Sequence, residues 1–369
     1  MIIIMHLRRS SKILLLLCSI MAALQLRYLD AADNQASAFT RGDVFAAVGN
    51  GQVKRFTPDG ILLQTLESGT GGQNAGMTFD KQDNLYLAHF EADQVYRFGP
   101  DGALLGTFGS RFNAHPESVV FDAAQNLYVG QADGTHQVLE FDRQGDLVAT
   151  ISLPTERRGS DWIDLAADQK TLFYTSEGAM VKRYDLENQR SLADFNQAPL
   201  PGSVAYALRV LPDGGVLVAD TELLVRLDRN GQQVQTYDAD NEDNWFAVNL
   251  DPDGKTFWSG NLGTGRVYRF EMSSGRQVSA WDAGTVGELG GLAVYGEITA
   301  ALTLPAIPGW LPYLLALIPL GAGLAWLLRR RPRSVRITAP PRVGGAPPVH
   351  RPEPPPRPRP PGGETIRPD

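Results

Sequence analysis

Four oxygen-bearing side chains stand near corresponding points of a recurring pattern: Glu117, Asp161, Asn244 and Glu288. Carboxylates and amides brought together from separate stretches of chain offer the oxygen ligands that a hard cation takes. Calcium or another divalent ion is the cofactor such a set would hold. A second set shares the neighbourhood: Asn74, His115, Trp162, Tyr206 and Trp245. Aromatic rings gathered round an opening can stack on sugars or flat ligands or hold a peptide. The competing readings are a polar rim on a water-filled channel for the first set and core packing for the second. No catalytic residue is singled out.

Other chemistry finds less support. "DADNEDN" (Asp238–Asn244) lacks the Gly and the Glu of a helix-loop-helix calcium loop, and reads as a solvated acidic loop. His89 and His136 fall in separate repeats without zinc spacing. No nucleophile-elbow motif is present. Cys18, the single cysteine, lies in a leader-like stretch, which leaves the rest of the chain without disulfide or thiol chemistry.

What must position these residues is a repeat. "VKRFTPDG" (Val53–Gly60), "VYRFGPDG" (Val95–Gly102), "VLEFDRQG" (Val138–Gly145), "VKRYDLEN" (Val181–Asn188), "LVRLDRNG" (Leu224–Gly231) and "VYRFEMSSG" (Val267–Gly275) are variants of one phrase. Each carries a large apolar anchor at its fourth position: Phe56, Phe98, Phe141, Tyr184, Leu227 and Phe270. Successive anchors lie 42 residues apart once and 43 apart four times. Within each unit, four short apolar runs alternate with Gly, Pro, Asp and Asn, the pattern of antiparallel strands and tight turns.

Four strands per unit at this period predict an all-β, six-bladed β-propeller over residues 39–298. A sandwich would not account for the constant period. "GGLAVYGE" (Gly290–Glu297) resembles "AGMTFDKQ" (Ala75–Gln82), so a C-terminal strand is expected to complete the first blade and close the ring. Closure removes two exposed sheet edges.

The flanks carry a different signal. Arg8, Arg9 and Lys12 precede an apolar run, which predicts a signal peptide or leader over residues 1–38, with an uncleaved anchor helix as the alternative. A linker, 299–305, leads to a charge-free apolar stretch, Ala306–Leu328, long enough to cross a bilayer. Trp310, Tyr313 and Trp326 stand near its ends, and "RRRPR" (Arg329–Arg333) follows. The positive-inside rule then puts the tail in the cytoplasm and the repeat region outside it. The tail, 329–369, is rich in Pro and Arg and is expected to be disordered.

Formal net charge is −7, but the first 27 residues carry +4 and the tail +7, leaving −18 on the remainder by difference. Such an acidic region argues against nucleic acid as a partner.

Residues His115–Val148, "HPESVVFDAAQNLYVGQADGTHQVLEFDRQGDLV", resemble NHL-type repeats in their Pro, strand ending in Asp, Asn-Leu-Tyr-Val and Val-x-x-Phe order. "DPDGKTFW" (Asp251–Trp258) is similar to turns of the gluconolactonase and senescence-marker propellers. The resemblance implies a propeller with a ligand site at one channel mouth. Its gluconolactonase branch implies a carboxylate–amide metal site, though the ligand motifs of that branch have no clear copy here. The lyase relatives need clustered His, which this chain does not offer. The C-terminal segment resembles the anchors of exported bacterial proteins: a Pro-containing motif ("LPAIPGW"), a helix and an Arg cluster. It departs from the sorting-signal pattern in lacking "LPxTG" and in the length of chain that follows.

The functional expectation is an exported, membrane-tethered binding or sensor module. Its partner would be a small molecule, glycan or protein at the channel mouth, and the helix would meet membrane lipid. The alternatives are a metal-dependent, lactonase-type hydrolase and a structural surface protein.

Overall fold

The computed structural model describes residues 38–202 and 204–299. The expectations for the leader, the spanning segment and the tail lie outside them, apart from the boundary residues Ala38 and Thr299. All regular secondary structure among the described residues is strand, and no helix there is long and apolar enough to cross a membrane.

Each phrase builds the third strand of a blade. Its anchor is buried in all six units, with 8% exposure at most. In five units the strand register slips by one residue at the anchor: Arg55/Phe56, Arg97/Phe98, Glu140/Phe141, Arg226/Leu227 and Arg269/Phe270. This bulge turns the chain into the next hairpin. The glycine closing the phrase takes positive φ, 82° at Gly102 and 88° at Gly145, a conformation that carries a steric cost for side chains with a Cβ. Aspartates fix the same turns. Asp142 Oδ1 accepts from the amides of Gln144 and Asp146, and Asp228 Oδ1 from those of Asn230 and Gln232. Much of the region's acidity is therefore turn chemistry.

Six four-stranded antiparallel sheets result. The innermost strands are Gly291–Val294 for blade 1, then Met77–Phe79, Pro116–Phe121, Ile163–Leu165, Ala205–Val210 and Trp245–Leu250 for blades 2 to 6. Gly291–Val294 pairs with Val44–Val48 at the other end of the chain, so the expected closing strand is present. Apolar clusters fill the spaces between neighbouring blades; Tyr86 of blade 2, for example, packs edge-on to Phe121 of blade 3 at 4.9 Å. Innermost strands all begin on one face of the ring, the upper face, and end on the lower. Because strands alternate in direction, each outermost strand begins at the lower face. The described chain both enters, at residue 38, and leaves, at residue 299, on the lower face.

Candidate functional site

The upper face gathers the loops before innermost strands and those between second and third strands. Blades 2 to 4 place an unusual set of polar groups there. Glu117 sits on the innermost strand of blade 3, and Asp161 lies two residues before that of blade 4; both are buried. Glu117 Oε2 and both carboxylate oxygens of Asp161 have no hydrogen-bond partner, nor has Asn74 Oδ1 on blade 2. The other end of the Asn74 amide is fixed, since Nδ2 donates to the carbonyls of Val48 and Gln52. Three consecutive blades thus hold buried oxygens that the fold leaves unsatisfied, which is rare in native interiors.

Burial pushes both carboxyls well above the carboxylate range. The charge of Glu117 raises Asp161 further, while Arg158 opposes the rise at both. A pair so placed keeps at least one proton at neutral pH.

Above the pair runs an ionic chain. Arg158 Nη2 donates to Asp133 Oδ2 at 2.7 Å and Nη1 to Glu177 Oε1 at 3.0 Å. Asp133 also meets His115 Nδ1 at 2.6 Å. His115 stacks on Phe90 with centroids 4.2 Å apart, and Arg158 lies over the same ring. The Arg158 hydrogen bond, with that of His115, holds Asp133 down to about 2.

Trp162 closes the channel at this level. It belongs to blade 4, yet a methyl group built on Gly76 of blade 2 would stand 3.2 Å from its ring, and its centroid is 5.9 Å from that of Phe246 on blade 6. One indole therefore reaches two other blades across the axis. Tyr206 is half-buried beside Phe246, at 4.7 Å.

The residues expected at the site part into two groups. Glu117, Asp161, Trp162 and His115 belong to the cluster, while Asn74 turns its amide toward blade 1, at Val48 and Gln52. Tyr206 joins them electrostatically: burial raises its hydroxyl, and the charges of Glu177, Glu117 and Asp161 add to the rise. Asn244 and Glu288 are exposed on other loops, where Glu288 Oε2 accepts from Thr285 Oγ1. Trp245 is wholly buried against Tyr268 and Phe270 and lines no opening. Trp162 is buried too, a plug in the channel where an open aromatic rim was expected. Among the described residues no three or more His, Cys, Asp or Glu side chains are grouped so as to hold a metal ion.

The "DADNEDN" loop is largely exposed, as expected, with one exception. Glu242 is buried and accepts from Asn261 Nδ2, Thr264 Oγ1 and the Tyr268 hydroxyl, while Asp238 Oδ1 accepts from Trp245 Nε1. These acids clamp blade 6. His89 is satisfied by Thr70 O and the Ala92 amide. Arg158, Asp133 and Glu177 escape a reading aligned on innermost strands because each comes from a connecting loop. The signal was "TERRGSD" (Thr155–Asp161), where two arginines interrupt an acidic region.

The lower mouth is centred on one carboxylate, with Asn249 Oδ1 beside it left without a partner. Glu297, just beyond the closing strand, accepts from Arg209 Nε at 3.0 Å, Asn249 Nδ2 at 2.9 Å and the Leu250 amide at 2.6 Å. Asp164 beside them accepts from the Val210 and Leu165 amides. Burial raises Asp164 to about 6, with Arg209 pulling it down.

Neither a protein-family model nor a curated protein sequence matches this chain. Solved structures share its fold. A chain of a nidogen/laminin complex is similar at 11% identity and TM-score 0.56, over 68% of this chain and 97% of that one. The WD40 propeller domain of Doa1 is similar at 15% identity and TM-score 0.50, over 66% and 80%. A virginiamycin B lyase from Staphylococcus aureus aligns at 11% identity and TM-score 0.46, over 59% and 72%. The first two share the β-propeller fold of this chain.

Proposed function

We propose that this is an exported, membrane-tethered propeller of the NHL kind, acting as a binding or sensor module through its upper mouth. One observation carries the reading: Glu117 and Asp161, from consecutive blades, hold buried oxygens without partners beside the Arg158–Asp133–His115 chain, and Asn74 on the neighbouring blade leaves a third. A folded chain leaves such groups unpaired at a cost, and a ligand offering donors would satisfy them. Hydroxyl-rich or amine-bearing small molecules, glycans and protein side chains all qualify. The nidogen/laminin likeness supports the general idea of a propeller in a protein complex and goes no further.

The test is thermal stability of the purified chain against panels of sugars, amines and divalent cations, beside a Glu117→Gln/Asp161→Asn variant. A ligand that raises the Tm of the parent and leaves the variant unmoved is expected. A ligand that shifts both equally binds elsewhere and sinks this site.

A second reading, a metal-dependent hydrolase of the lactonase type, is favoured by the same oxygens, which are of the hard type calcium prefers. Asn74, Glu117 and Asp161 would hold the ion, with Asn244 and Glu288 too far out in solvent to be its natural partners. Elemental analysis separates the two readings. About one equivalent of divalent metal, lost in the variant, raises the hydrolase; no stoichiometric metal removes it.

A further inference from the structure

A different surface, the lower rim, gathers exposed aliphatic side chains. The described residues include a short roster of large apolar side chains left in solvent, and all but one cluster by position. On blade 1, Ile61, Leu62 and Leu63 are 63%, 51% and 45% exposed. On blade 2, Leu104 and Leu105 are 44% and 49% exposed. Val148, Val234 and Val278 repeat the position on blades 3, 5 and 6. Every one of them stands at the start of an outermost strand or just before it, hence at the lower face. Only blade 4 departs, with Arg190–Ser191 as its outermost strand. Blades 1 and 2 carry the largest share side by side, since Gln64 Nε2 of one donates to Asp101 O of the other at 2.9 Å.

Contiguous exposed aliphatic surface marks a contact with protein or membrane. Two facts choose the membrane. Both ends of the described chain leave on this same face, so either an N-terminal or a C-terminal anchor would draw this face down. Residue 299 is separated from the apolar stretch beginning at Ala306 by six residues, which reach about 20 Å at full extension. Aliphatic side chains spread round the rim on five blades also match a plane better than a localised protein epitope.

We propose that the lower rim of the propeller rests on the lipid surface, with Ile61, Leu62, Leu63, Leu104 and Leu105 seated at the boundary between headgroups and acyl chains. The upper mouth then faces away from the bilayer. This rests on the tethered reading above. It adds an orientation, in which a flexible stalk holding the ring clear of the membrane is excluded.

The test uses the full chain in phosphatidylcholine nanodiscs, on a Cys18→Ser background, with single labels at Leu62→Cys, Leu105→Cys and Val286→Cys. Val286 is 79% exposed on an upper-face loop and serves as the control. Bimane at 62 and 105 is expected to be quenched severalfold more than at 286 by doxyl-labelled lipid, and less than at 286 by aqueous iodide. Equal quenching at all three positions, with the chain retained in the disc, overturns the docking and leaves the tether standing. A chain lost from the disc on carbonate washing overturns the tether and the docking with it. Shielding from iodide without lipid quenching, together with a doubled mass, assigns the patch to a second copy and overturns the lipid contact.

Discussion

Glu117 and Asp161 illustrate how a single pair of side chains records a cost that the rest of the molecule bears. In the unfolded chain both ionise near their ordinary pH of about 4. In the fold burial keeps protons on the pair far above that value. The folded state therefore binds more protons than the unfolded state, and stability falls as pH rises from about 4 toward the raised folded values. Glu117→Gln/Asp161→Asn removes the ionisation and keeps the shape. The variant is expected to gain roughly 1–3 kcal/mol at neutral pH, with parent and variant converging below about pH 4. Urea unfolding at a series of pH values measures it. Equal slopes for parent and variant would show that the pair is solvated in the fold. These two residues were legible in the sequence because repeat alignment puts them near the start of innermost strands. Trp245 was equally legible by position and yet turned inward, since its indole N–H finds Asp238 and its ring packs on Tyr268 and Phe270. Sequence position assigns a residue to a loop or strand; which way its side chain turns depends on partners contributed by distant residues.

At the scale of elements, the strands were readable because their determinants are local. Anchor, bulge and glycine turn follow each other within one phrase, and Phe98 followed by a Gly102 turn carries the instruction without outside help. The loops were not readable, because their contacts come from other blades: Arg158 of blade 4 completes Asp133 of blade 3. The same distinction applies at the lower mouth. Glu297 extends beyond the closing strand and holds Arg209 of blade 5 and Asn249 of blade 6, so one element pins two others. Glu297→Ala strands a buried guanidinium and is expected to cost about 3 kcal/mol. Glu297→Gln keeps an acceptor for the Leu250 amide and should cost less. Denaturant midpoints of the two variants give the comparison, and an equal loss in both would place the effect in the charge that faces Arg209, with nothing from the amide contact. A second elemental test concerns close approach. A methyl group on Gly76 would stand 2.7 Å from the Glu117 carbonyl and 3.0 Å from Ser118 Cα. Gly76→Ala is expected to force blades 2 and 3 apart, at a cost of about 1–3 kcal/mol.

The ring depends on a pairing between the two ends of the described chain. Val44–Val48 and Gly291–Val294 meet across the chain's full described length, and without the second strand blade 1 keeps an open inner edge. A chain ending at Glu288 is expected to lose cooperative unfolding and to aggregate, as read by calorimetry and light scattering; a monomeric, cooperatively melting truncation would show that the ring holds without closure. The arrangement also imposes an order in time. The blade whose strands emerge first from the ribosome is the one finished last, because its innermost strand is made only after the other five blades. A chain threaded across a membrane from its N-terminus therefore cannot complete the ring before residue 294 has passed through. For an exported chain, as proposed above, passage as an open string and locking on arrival would both follow from a single strand exchange.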